Sequence, residues 1–199
     1  MPIDQEQAQK SASSTQPTRR MRGELRRAAI VEAAAQIIRE EGPVAVTHRA
    51  VARRCGCSLS ATTYYFSGLD ELLAEAGKVN IRLWARRAER VASEVERSDV
   101  PESRDEIIDI ILRACLPPTD ALENHYLQLL EAARAKPVAR AYAVGRTHLD
   151  AAIARVLARV GLDVSPQLIV AIVDGAAVSA LSEGRDVREL ARQLLKQIA

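Results

Sequence analysis

Gly56 stands between two short helical segments whose length and side chains leave few ways to fold. Thr47 offers a hydroxyl cap to a segment running from His48 to Cys55, and Ser58 caps a second one from Leu59 to about Tyr65. Helices joined this tightly must cross at close range. Ala52, four residues before the glycine, is small where they touch, and Gly56 can adopt the left-handed conformation that reverses the chain without Cβ strain. Val51, Cys55 and Cys57 supply apolar contacts around the turn, and Thr62 and Tyr65, three apart on the second helix, face inward to meet them. The span from Thr47 to Phe66 therefore predicts a helix-turn-helix.

The other residues of that second helix, Leu59, Ser60, Ala61, Thr63 and Tyr64, face outward, and all are small or hydrogen-bonding with no acidic member. A carboxylate on this face would repel phosphates, so the composition suits entry into a major groove. A bare helical hairpin explains Ala52 and Gly56 equally well but not this outer face. Charge points the same way. Residues 1–68 hold 10 Lys/Arg against 6 Asp/Glu, while residues 69–199 hold 18 against 20, so a polyanion is expected to meet the front of the chain.

The remaining sequence predicts an all-α protein of about nine helices. Ala, Leu, Arg and Glu dominate, aromatics are only 3%, and neither a period-2 run nor an internal repeat is present. Residues 1–23 lack apolar periodicity and are expected to form a disordered basic arm ending in Arg19-Arg20-Met21-Arg22, free to lie along phosphates. Ile30, Ala33, Ala34, Ile37 and Ile38 mark a first helix from Glu24 to Glu41, stopped by Gly42-Pro43. Helix-turn-helix residues would complete a domain over 24–68. A body over 69–199 would follow, opened by a long fourth helix from Ser67 or Gly68 to about Arg97 that links the two. Further helices are expected over Ser103–Cys115, Thr119–Ala135, Val138–Val160, Pro166–Ser182 and Val187–Ile198.

Catalysis is not expected. His48, His125 and His148 lack metal-ligand spacing, Cys55-Gly56-Cys57 has one intervening residue rather than the two usual for zinc or redox motifs, and no phosphate loop or nucleophile elbow occurs, so no metal or cofactor is expected either. Cys55, Cys57 and Cys115 are an odd count with no secretory signal before them, which reads as reduced thiols in a cytoplasm, and no window approaches 18 uninterrupted apolar residues, so no membrane partner is expected.

The run Ala52-Arg53-Arg54-Cys55-Gly56-Cys57-Ser58-Leu59-Ser60-Ala61-Thr62-Thr63-Tyr64-Tyr65-Phe66, followed by Asp70-Glu71-Leu72-Leu73 and preceded by Ile30, Ala33-Ala34, Glu41-Gly42 and Thr47, resembles the signature of the TetR family of transcriptional regulators. The resemblance covers residues 24–73 closely and the body by architecture. It implies double-stranded DNA as partner, with Ser58 among the contacting residues: Thr47 on a phosphate, His48 and Arg49 near the backbone or groove edge, Leu59, Ser60, Ala61 and Thr63 close to bases, and Tyr64 and Tyr65 bonding through their hydroxyls. Three positions depart from the family: Thr63 where an aromatic is common, Tyr65 where a His is common, and Leu69 where a Lys commonly touches phosphate. The last shifts the phosphate grip toward Arg49, Arg53, Arg54 or the basic arm.

One recognition helix reads only a few base pairs, so a homodimer on a palindromic operator is expected. Its surface is expected in the last two helices, at Val170, Val173, Ala177, Leu181, Leu190 and Leu194, where an apolar run rich in small residues could pack on a partner as well as on its own body; the alternative is a helix wholly buried in one chain. The family resemblance implies that these helices pair with their symmetry mates, and that the body holds a pocket for a small-molecule effector that releases a repressor from DNA. Trp84, Cys115, His125, Tyr126, Tyr142 and His148 are the candidates to line it. The other functional class open to this sequence is a helical interaction or scaffold protein with a vestigial helix-turn-helix, distinguished by weak, sequence-independent DNA binding.

Overall fold

Thr18 starts the first helix by accepting a hydrogen bond from the Met21 amide at 3.3 Å, and α1 then runs from Arg19 to Glu41. The computed structural model describes residues 18–198, and among them every regular element is helical. Helix α1 thus begins at Arg19 and not at Glu24, because Arg, Met, Glu and Leu carry a helix outward without any apolar stripe. That corrects the expected arm over its last residues; residues 1–17 lie outside those described. The helix ends where Gly42, at φ 82°, donates its amide to the Ile38 carbonyl.

Helices α2 (His48–Cys55) and α3 (Leu59–Tyr65) follow, each capped as the sequence predicts: Thr47 accepts from Ala50 at 3.0 Å, and Ser58 from Ala61 at 3.2 Å. Helix α4 spans Leu69–Val95, fixed at its start by Glu71, which accepts from both the amide and the hydroxyl of Ser67 at 2.8 and 2.9 Å. The body continues through α5 (Arg104–Cys115), α6 (Leu122–Glu131), α7 (Lys136–Arg159), α8 (Pro166–Glu183) and α9 (Val187–Leu195). The stretch expected as one helix from Thr119 to Ala135 is instead α6 flanked by 3-10 turns at Thr119–Ala121 and Ala132–Arg134.

Two apolar clusters organise the packing. One joins α5, α8, α9, the outer end of α7 and the distal half of α4. The other contains Ile30, Ile37 and Ile38 of α1, Val51 of α2 and Phe66, and extends without a break through α4 to Trp84 and across to Val138 and Tyr142 of α7. Fully burying one such aliphatic side chain contributes about 1.5–3 kcal/mol, so the second cluster ties the helix-turn-helix firmly to the body. Helices α4 and α7 approach closely along their length. Two glycines permit this: a Cβ at Gly77 would lie 2.9 Å from that of Ala141, and one at Gly145 would collide with Ile81.

Helix α8 is long and apolar enough to cross a membrane by length and composition, yet its inner face, including Ile169, Val173 and Ala177, closes the core of the body. Val170, Val173 and Ala177, expected at a dimer surface, are thus interior residues of their own chain. Because α8 is apolar nearly all round, its periodicity could not tell which side faces in. The outward stripe is Leu168, Ala171, Gly175 and Val178, beside Leu181, while Leu190 and Leu194 of α9 are half-buried against the body.

Candidate nucleic-acid interface and body cavity

The turn of the helix-turn-helix forms as its residues dictate. Gly56 sits in the left-handed region at φ 63° and ψ 33°, and the next amide, Cys57, donates back to the Ala52 carbonyl at 3.0 Å. Val51, Ala52 and Thr62 are buried at the crossing, and the Thr62 hydroxyl donates to the Leu59 carbonyl at 2.7 Å. Cys55 and Cys57 flank Gly56, and the reversal brings their Cα atoms to 5.5 Å, side by side at the turn. Cys115 lies apart from them, on α5.

Outside the turn, Leu59, Ser60, Thr63 and Tyr64 are exposed, Tyr64 at 83%, and Ala61 and Tyr65 are half-buried. Thr47 and Arg49 are exposed at the start of α2, whereas His48 is half-buried with its Nδ1 lacking a protein partner. Tyr64 and Tyr65 stack edge to face with centroids 5.1 Å apart. They share a groove with Arg19, Arg22 and Arg26 of α1, and Arg26 also borders the hollow formed by Ser58, Ser60 and Tyr64. A wall of exposed guanidinium groups thus flanks the outward side of α3. Arg26 was not among the expected contacts; its signal was the spacing of Arg19, Arg22 and Arg26 on one helical face, visible only if α1 is extended upstream.

Not every nearby arginine is available. Arg54, expected as a phosphate anchor, bonds Glu40 at 2.5 Å and Glu41 at 2.8 Å, pinning α2 to the end of α1. Arg27 lies 4.9 Å over the Phe66 ring and faces Glu71 and Glu75, so it is structural. Arg49 and Arg53 are exposed. Leu69 packs partly against the core at the position where the resemblance implies a lysine.

Within the body, α4, α5, α6, α7 and α8 border a partly open cavity of about 170 Å³ whose lining includes Trp84, Cys115, His125, Tyr142, Arg146 and Asp174. Four of the six expected residues meet there. Tyr126 lies behind the wall, its hydroxyl donating to Asp174 at 3.1 Å. His148 is exposed on another groove, because six residues beyond Tyr142 correspond to about 240° around a helix. Trp84 contacts Tyr142 and His125, each with centroids 4.8 Å apart and rings steeply inclined. Burial, aided by Arg87, pulls the His125 imidazole down to about 4, so it is neutral at neutral pH. Burial pushes the Cys115 thiol up to about 12, which makes it inert as a nucleophile. Burial likewise raises the Asp174 carboxyl, against the opposing hydrogen bond from Tyr126 and the charge of Arg146.

Cavity and interface share α4. Ile81 and Trp84 line the cavity, and Asn80, fully buried, reaches α1: its Nδ2 donates to the Ala35 carbonyl at 3.3 Å, and its Oδ1 accepts from Arg39 at 2.6 Å. Tyr142 closes the other side by donating to Gln128 at 2.9 Å.

Residues 30–76 match the family model for bacterial regulatory proteins of the tetR family. Among solved structures, the multidrug binding protein EbrR complexed with imidazole is similar, with a TM-score of 0.61 and 25% identity over 87% of this chain and 94% of that one. A TetR-family member from Streptomyces coelicolor A3 has 26% identity and a TM-score of 0.51, covering 87% and 97%. A TetR transcription regulator from Haloarcula marismortui has 22% identity and a TM-score of 0.60, covering 88% and 97%. No curated protein matches the sequence.

Proposed function

Since this chain is a TetR-family transcriptional regulator with a helix-turn-helix, we propose that it works as a homodimeric repressor, released from a palindromic operator when a small molecule fills the body cavity. The observation that carries the reading is the pairing of an exposed, carboxylate-free α3 face with the arginine wall of α1. The division of labour follows. Thr47, Arg49, Arg53 and the arginines at 19, 22 and 26 hold phosphates, and Ser58, Leu59, Ser60, Ala61 and Thr63 approach bases, with His48, Tyr64 and Tyr65 at the groove edge. Residues 19–68 act as the DNA-binding unit and residues 69–198 as the body.

Dimerisation uses the outward stripe of α8, Leu168, Ala171, Gly175 and Val178, with Leu181 beside it and Leu190 and Leu194 at its border with α9. A patch of large and small apolar groups without charge is poorly placed against water and well suited to its own copy. Release is carried by α4, which lines the cavity with Trp84 and holds α1 through Asn80. A small-molecule effector is supported by the complex of EbrR with imidazole, since a cavity lies within the same fold here.

The test is a gel-shift of the purified chain on duplexes from its own upstream region at two salt concentrations. Tight binding to one palindromic duplex is expected, falling by about 10³-fold or more between 50 and 200 mM salt. Weak binding indifferent to sequence would instead favour a helical scaffold.

A further inference from the structure

Asp174 is the one charged residue in the run from Leu168 to Leu181, and it is turned toward the cavity rather than the solvent. Its Oδ1 accepts from Tyr126 at 3.1 Å, and no Lys, Arg or His among the described residues forms an ion pair with it. The cation that faces it, Arg146, is engaged elsewhere: its Nε donates to Asp150 at 2.8 Å, an arrangement reinforced by Gln167 on the second oxygen of Asp150 at 2.9 Å. A carboxylate withdrawn from water without a close counter-ion is costly, and a ligand carrying positive charge would offset that cost.

Across the cavity stand the rings of Trp84, His125 and Tyr142. Trp84 packs edge to face against His125 and tilted against Tyr142, so the three rings form one continuous aromatic wall, and all three line the cavity. Such non-parallel aromatic walls attract cations through the ring quadrupole and are a recurrent way to hold quaternary ammonium groups. His125 does not oppose this, because the same burial that places it in the wall keeps it uncharged at neutral pH. At about 170 Å³, and partly open to solvent, the pocket has room for an aromatic ring and a small substituent, a volume of about 150 Å³ being enough for benzene.

We propose that this cavity binds a small organic ammonium ion, with Asp174 as counter-charge and Trp84, His125 and Tyr142 as its aromatic walls. Binding itself does not depend on the repressor reading; only the consequence, release from DNA, rests on it.

Trp84 is the sole tryptophan, so its fluorescence reports occupancy directly. The full chain, free of DNA, is titrated with phenyltrimethylammonium, its neutral isostere tert-butylbenzene, and benzoate. Saturable quenching by the cation is expected, at least about tenfold tighter than by the isostere, with no response to benzoate. Asp174→Asn is expected to erase the preference for the cation while still admitting the neutral isostere, which doubles as a check that the variant folds. Equal or tighter binding of tert-butylbenzene by the unmodified chain would overturn the proposal, and that comparison needs no variant. So would binding of benzoate alone, which would make Arg146 the recognising charge, or no response to any probe. A separate gel-shift then distinguishes the two levels: a cation that binds the free chain but leaves the DNA complex intact supports the site and overturns effector release.

Discussion

Two exposed helical faces of this molecule differ in kind from an ordinary solvated surface, and they differ from each other. Helix α3 turns Leu59, Ser60, Thr63 and Tyr64 outward, rich in hydroxyl groups and bordered by Arg22 and Arg26, with its own carboxylates absent. Helix α8 turns out Leu168, Ala171, Gly175 and Val178, with no charge in the stripe and no hydroxyl at its centre. The first surface can satisfy a polar, negatively charged partner through many hydrogen bonds, each of modest worth and sensitive to salt. The second can only exclude water, and it does so best against a surface as smooth and apolar as itself. On the proposed function, one chain thus separates the recognition of something unlike itself from the recognition of its copy.

That contrast can be broken from either side. The largest effect is expected from Ser60→Glu combined with Thr63→Glu, which sets two carboxylates against the DNA: operator affinity should fall by about 100-fold or more while the oligomeric state in sedimentation stays the same. A double variant that bound as tightly as the parent would remove α3 from the interface. On the other face, Gly175→Leu fills the centre of the stripe. A Cβ there meets nothing within 4 Å in its own chain, so the monomer should melt no lower, yet the dimer should weaken by about tenfold or more, with DNA binding falling as a consequence.

Asn80→Ala cuts between the two regions. It strips Arg39 of one of its two acceptors, leaving Glu32, and the Ala35 carbonyl of a donor, which should cost about 1–3 kcal/mol in urea denaturation and blunt any effect of cavity ligands on DNA binding. Arg26→Ala sharpens the polar side alone. Affinity should drop by about three- to tenfold across all duplexes, and the slope of log affinity against log salt should shrink by about one. Smallest of all, Leu69→Lys restores the phosphate contact the resemblance implies, and should raise affinity by about two- to threefold at low salt.

These regions were unequally legible in the sequence. The helix-turn-helix rests on interactions between near neighbours, such as Thr47 with Ala50, Ser58 with Ala61, and Gly56 between Ala52 and Cys57, so residue type at fixed spacing was enough. The reach of α1 back to Arg19 was missed because an exposed helix rich in arginine has no apolar rhythm, and with it went Arg26. The positions of Cys55 and Cys57 at the turn were legible for the same reason as the rest of the helix-turn-helix, since both flank the reversal at Gly56. In α8, apolar residues on every side concealed which stripe faces out, and Val170, Val173 and Ala177 were put on the wrong one. The cavity collects Trp84, Cys115, His125 and Tyr142 from four helices, and these could be nominated one by one; Asp174 could not, since only the packing of α8 turns it inward.

The glycines at 77 and 145 have a mechanical consequence. With Gly77 seated on Ala141 and Gly145 on Ile81, α4 and α7 leave each other no clearance to slide sideways past larger side chains. A push from the cavity on Trp84 therefore finds tilting easier than repacking. From Trp84 to Leu69 the helix is a lever arm of about 22 Å at 1.5 Å per residue, so a tilt of about five degrees swings its far end by about 2 Å. Because Phe66 and Ile30 ride in the same apolar cluster as that end, the reading head would travel with it, and in a dimer two such swings would add across the distance between the half-sites.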